Sequence, residues 1–344
     1  MYKLRDWIDI NRIDKYVLST HPNAIDFLEK NHDKINWKGL SLNPNAIHLL
    51  QKNIDKIDWR MLSSNRNAIV LLEKKVLLEK KIEESWWKLS RSSTAMMLIE
   101  KNNNKIYWFG LSGNPNAIDL LEKNNDKIDW YTLSGNPNAI HLLEKNVDKI
   151  DWYPLSGNPN AIHLLEKNVD KICWQLLSCN KNAIDLLEKN MDKINWRGLS
   201  GNPNAIDLLE KNVDKIDWHE LSRNPNAIPL LENNIDKINW AYLSVNPNAI
   251  QLLEKHYDNI DWTQLSCNKN AMHILSKNID KIHYGALSLN SSIFELDYEA
   301  MEKRCNIFKE ELIKKTLHPS VITRYLNHPD LKDKDLDYIL DNCF

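Results

Sequence analysis

A 22-residue period, seen in its regular form as LSGNPNAIDLLEKNNDKIDW from Leu111 to Trp130, returns along most of this chain and leaves it few folds to choose from. The opening Leu-Ser pair falls at thirteen positions from Leu18 to Leu287, and every spacing but one is 22 residues. A period of this length marks a small supersecondary unit. One such unit offers only a single layer, so neighbours must stack to bury a shared apolar face.

Within a unit, Asn114 reads as an N-cap, Pro115 as the first helical residue, and Ala117, Ile118, Leu120 and Leu121 as one apolar stripe. These predict a long helix of about nine residues stopping near Asn124, a residue type suited to the left-handed conformation past a helix end. A shorter helix follows from Asp129, with Trp130 and Leu133 on one face and Gly135 as its stop. The fold class is therefore all-α: an α-solenoid of about twelve 22-residue repeats, each a long helix plus a short one. Helices under about 12 residues are marginal alone, so stacking must stabilise them. Eleven tryptophans from Trp37 to Trp262 hold one register and read as inter-repeat core. The cap asparagine recurs from Asn43 to Asn290, where stacked amides can satisfy one another and the loop backbone.

The period overrides the two-domain prior that 344 residues would carry, and one elongated body is expected. Residues 1–17 read as a degenerate N-terminal capping repeat, with Lys15 in the tryptophan register and a polar outer face that has no neighbour. The array runs over 18–290. Its one irregular spacing holds VLLEKK twice, at Val70–Lys75 and Val76–Lys81, a net insertion of five residues near 75–81. It should lengthen the long helix by about one and a half turns. Pro229 falls inside a long helix, where it should remove a hydrogen bond and cost up to about 3 kcal/mol unless the helix kinks. Residues 291–344 form a helical C-terminal cap or small appended module, with helices expected at 307–316, 319–326 and 331–341.

The motif NPNAIxLLEKNxDKIDWxxLS resembles short helical repeats of uncharacterised proteins from giant DNA viruses of protists, over roughly residues 1 to 290. The C-terminal FKEELIKKTLHPSVITRYLNHPDL is similar to a tail found on proteins of the same viruses. The alternation of helices resembles, more weakly, leucine-rich-variant solenoids. These resemblances imply a fold, a viral origin and, with it, the host cytoplasm; they imply no catalytic or binding residue.

Composition narrows the function. Lysine and arginine number 45 against 47 acids, a formal net charge of −2, which argues against nucleic acid and anionic membranes as partners. Five scattered cysteines suit a reducing compartment, and the absence of an apolar signal core or spanning run suits a soluble intracellular protein. No phosphate-cradling glycine loop is present, and the repeated serine has no fixed histidine partner. His141 and Glu144, like His163 and Glu166, share a helix face, but helices pack about 8 to 10 Å apart while metal–nitrogen bonds are about 2.0 to 2.1 Å, so those histidines read as exposed positions free to vary. No catalytic residue, cofactor or metal is expected.

The informative positions are those that packing does not hold constant. The residue after the repeated tryptophan is one, and there Arg60 is followed by Trp87, Phe109, Tyr131 and Tyr153 in consecutive units. An exposed aromatic run beside arginine has the composition of a binding hot spot, and these five are the candidate partner-binding residues. The alternative is that the rings thicken the core. The leading expectation is a non-catalytic scaffold or adaptor, virus-encoded and acting on a host or viral protein not identified, with oligomeric state open. The alternative is a single-stranded RNA-binding repeat protein using the same rings as stacking platforms, which the neutral charge disfavours.

Overall fold

The computed structural model describes residues 1–78 and 86–316, together with His318, Ser320 and Thr323. It divides into two compact units: Leu4–Phe294, and Met1–Lys3 with Glu295–Phe344.

Three short helical pieces make up each repeat of Leu4–Phe294. Asp129 caps the helix Trp130–Ser134, its carboxylate accepting from Thr132 N–H at 2.8 Å. The Asn-Pro-Asn-Ala turn leads to the helix Ile140–Lys145, and a 3-10 turn, Val147–Lys149, leads to the next cap, Asp151. The expected long helix is thus no longer than its partner: Ile118–Glu122 and Trp130–Ser134 each have five residues. The reason lies in the asparagines. Asn114 Oδ1 accepts from Asn116 N–H at 3.1 Å, which closes a turn instead of capping a helix, and helical bonding starts only after Ala117. Neither predicted stop is left-handed. Asn124 sits at φ −132°, its amide donating to Leu120 O at 2.9 Å, and Gly135 sits at φ −81°.

Polar side chains that a soluble helix would expose instead join the units. Ser134 Oγ donates to Trp130 O at 2.7 Å and accepts from Asp151 N–H of the next unit at 3.0 Å. Asn136 is buried, and its amide donates backwards to Ser112 O at 3.0 Å and Asn114 O at 3.1 Å. The amides therefore answer backbone carbonyls, not one another. Both residues recur along the regular part of the array, so its joints have buried polar groups whose partners lie one unit away.

The hydrophobic core is made of Leu133, Ala139 and Leu143 and their equivalents, all fully buried. The tryptophans are not its centre, contrary to the reading from register. Trp86 is buried, but Trp130 and its counterparts from Trp108 to Trp262 are half-buried. Apart from Trp240, which meets the His256 ring at 5.2 Å, these rings lie under a lysine of the following unit, as with Lys149 over Trp130 at 4.9 Å and Lys215 over Trp196 at 4.8 Å. Leucines fill the inter-repeat space first, leaving the larger indole at its margin, where a lysine stem and charge cover one face.

The array does not end in two free faces. Asp14 N–H donates to Ser288 Oγ at 3.1 Å, the same serine joint that links the regular units, as between Asp129 and Ser112. Arg12 lies 3.8 Å over Tyr284, in the registers of the lysine and tryptophan. His21 Nε2 meets Ser291 O at 3.0 Å, and Arg5 N–H meets Ile293 O at 3.1 Å. The first unit thus stacks on the last, and Leu4–Phe294 is a closed ring. This corrects both the elongated body and the neighbourless N-terminal face. Consecutive tryptophan helices approach backbone to backbone, a Cβ on Gly110 falling 3.0 Å from Trp87 O, whereas isoleucine helices meet through long side chains such as His141 and Glu122. The layer with closer neighbours must take the smaller radius, so the tryptophan helices form the inner layer.

The repeat that contains the insertion has a ten-residue helix, Ile69–Leu78, where other units have five or six. The rest of that insertion lies outside the described residues. Pro229 sits in the first turn of Ile228–Glu232, where no N–H is needed, so the expected break is absent. Tyr2–Leu4 and Phe294–Leu296 pair as a two-stranded sheet, the only strands among the described residues. The C-terminal helix runs over Tyr298–Thr316, nine residues earlier than its expected start. The helices expected at 319–326 and 331–341 lie outside the described residues.

Candidate functional site

The residue after the tryptophan is turned outward because Trp130, Leu133 and Ser134 take the packed side of their helix, leaving Tyr131 on the other. The same geometry exposes Trp87 (45%), Phe109 (45%), Tyr131 (51%) and Tyr153 (53%), and Arg60 is exposed one unit before them. The rings are thus half open to solvent and do not belong to the buried core. The four rings lie on the inner layer, one per unit. Tyr107 packs beside Phe109 with centroids 6.0 Å apart, and Lys88 Nζ lies 5.6 Å from the Trp87 ring while donating to Arg60 O at 3.2 Å.

Glycine accompanies the rings one turn later, at Gly113, Gly135 and Gly157, a pairing the sequence reading took for helix stops. Among the described residues no glycine has positive φ, so the backbone does not require it. A Cβ at Gly135 or Gly157 would meet only ordinary contacts, 3.5 Å to Pro154 Cβ and 3.7 Å to Pro154 O. At Gly113 a Cβ would fall 2.9 Å from Thr132 Cγ2, so packing demands that glycine, whereas Gly135 and Gly157 leave a bare floor beside Tyr131 and Tyr153.

Past Tyr153 the same layer opens into a cleft of about 500 Å³ that includes Gln175, Cys179, Arg197, Gly201, Glu220 and Arg223. Arg197 lies 3.3 Å and Arg223 3.9 Å from the Glu220 carboxylate. Burial first, and Glu220 second, raise the Cys179 thiol above its usual range, which disfavours the thiolate that a nucleophile needs. The signal for this cleft was present in the text as Arg197 and Arg223, but their convergence on Glu220 depends on the stacking geometry.

The outer histidines are not idle positions. His48, His141, His163 and His273 each meet a glutamate of the preceding unit at 2.7 to 2.8 Å. His141, then Lys145, lower the Glu122 carboxyl below its usual range. Among the described residues no cluster of three potential ligands is placed to hold a metal, and no helix is long and apolar enough to cross a membrane. No family model, curated protein or solved structure matches the chain.

Proposed function

We propose that this protein is a non-catalytic scaffold or adaptor that binds another protein through the inner layer of its ring. One observation carries the reading: four consecutive units expose an aromatic ring at one register, with Arg60 before them. Exposed aromatic side chains beside arginine are the residues that anchor protein interfaces. The resemblance to repeats of giant viruses supports a virus-encoded adaptor, and scattered cysteines, with Cys173, Cys179, Cys267 and Cys305 all free, support a reducing intracellular site of action.

The test compares the parent with a Tyr131→Ala/Tyr153→Ala variant. Melting should be nearly unchanged, since exposed substitutions fall within about 0.5 kcal/mol, while binding to a protein captured from host cells should weaken by about 1 kcal/mol or more. Undiminished capture of the same partners by the variant would sink the proposal. Binding of oligouridylate at low salt, lost in the variant, would transfer the surface to RNA.

A further inference from the structure

The glycines beside the tyrosines have no structural cause of their own. Their φ values are negative, and Val245 occupies the same register in a later unit, so a branched side chain is accommodated at this position of the fold. What Gly135 and Gly157 do provide is access: both are exposed, and each leaves the flank of its ring bare for another chain to lie against. Cys179 holds this register in the next unit, and glycine returns at Gly201, one turn after Arg197, where a Cβ would meet nothing closer than 3.7 Å. Tyrosines with bare glycines beside them thus give way, at Gln175 and Cys179, to the cleft of Arg197 and Arg223.

Charge selects what would lie there. Two guanidinium groups share one carboxylate in the cleft, so it keeps an excess positive charge, and both arginines are more than half exposed while Glu220 is mostly covered. An incoming carboxylate can take the donors that Glu220 leaves unused. From Tyr131 to Arg197 is three units, about 24 to 30 Å at ordinary helix spacing, which an extended chain covers in about eight or nine residues.

We infer that the groove from Tyr131 to Arg223 takes an extended peptide segment of the partner, with an apolar stretch against the tyrosines and acidic residues in the arginine cleft. This rests on the protein-binding reading and names the chemistry of its partner. The apolar stretch packs on Tyr131 and Tyr153 over the glycines, and the acidic end supplies direction.

A random twelve-residue peptide library displayed on phage and selected on the full chain tests it. The expected winners carry apolar residues followed or preceded by Asp or Glu at one end. Each should bind about tenfold more weakly to Gly135→Val/Gly157→Val, and about tenfold more weakly to Arg197→Glu/Arg223→Glu, with both variants melting like the parent. Should one variant misfold, the acidic bias of the selected peptides and their competition with Tyr131→Ala/Tyr153→Ala still decide the matter. Winners without acidic residues, or bound equally by all variants, overturn the inference and leave protein binding intact. A selection that returns no binder also overturns it, whereas the protein-binding reading falls only by the separate capture experiment with the tyrosine variant.

Discussion

His21 holds the position that an asparagine holds in other units, and it sits at the one joint where the chain does not run through. Its Nδ1 accepts from Asn23 N–H at 3.1 Å, so the Nε2 facing the Ser291 carbonyl must carry the proton, and only a neutral ring satisfies both. Burial lowers its pKa below the ordinary 6.5, with the Ser291 carbonyl opposing in part. Arg5 Nε donates to Ser292 O at 2.8 Å, one residue past the carbonyl that His21 meets. A folded value below the unfolded one means that His21 stabilises fully above about pH 6.5 and that this contribution is lost as pH falls through the folded value. Hydrogen exchange corrected for intrinsic rates should show the Asp14 amide, held by Ser288, losing protection below that pH more than the Asp129 amide, held by Ser112. His21→Asn should abolish the difference; equal losses in the parent would refute it. Tryptophan and leucine separate at the same scale. Trp130→Ala removes a half-buried ring and should cost about 1 to 3 kcal/mol, while Leu133→Ala empties a fully buried site and should cost about 2 to 5 kcal/mol. Calorimetric melting that ranks Trp130→Ala as the worse would restore the tryptophans to the core.

At the scale of elements, the period, the apolar stripe of Ala117 and Leu121 and the short helix that begins at Asp129 are legible in the sequence, because each rests on residues a few positions apart. The helix that was misread is instructive. Asn-Pro-Asn-Ala has the text of a capped helix start, yet Asn136 and Asn138 give their amides to Ser112, Asn114 and Pro115, all in the preceding unit. A local rule cannot see a partner 22 to 24 residues away. Pro229 was misjudged for the same reason, since its cost depended on a helix start that those amides had moved. The candidate rings were legible as a register, Trp87 to Tyr153, because exposure follows from the helix wheel. The cleft of Arg197, Glu220 and Arg223 was not, since it needs three units in their stacked arrangement. Five-residue helices cannot stand alone, so the joint is the real element here: a serine, two asparagines and a lysine over an aromatic ring.

For the ring as a whole, closure was the least visible property, because both ends of the array carry the joint's parts in altered form. Arg12 stands for lysine, Tyr284 for tryptophan and His21 for asparagine, substitutions that look like decay until the two ends are brought together. A closed ring and an open solenoid differ in how they respond to the same damage. Arg12→Ala with Ser288→Ala removes the lysine-type and serine contacts from the seam, while Lys127→Ala with Ser112→Ala removes the same pair from an internal joint, where Lys127 covers Trp108 at 5.0 Å. Both pairs should lower stability by similar amounts, about 1 to 3 kcal/mol, since the interactions are chemically alike. Only the seam lacks a covalent link, so only the seam pair should let the ring spring open. Small-angle X-ray scattering should therefore show a larger radius of gyration for Arg12→Ala/Ser288→Ala and an unchanged one for Lys127→Ala/Ser112→Ala. Equal radii in both variants, at temperatures where both remain folded and the seam pair has lost the protection of the Asp14 amide, would mean that the remaining contacts of Arg5 and His21 hold the ring shut. An increase in both would mean that the array has no privileged joint and was never closed.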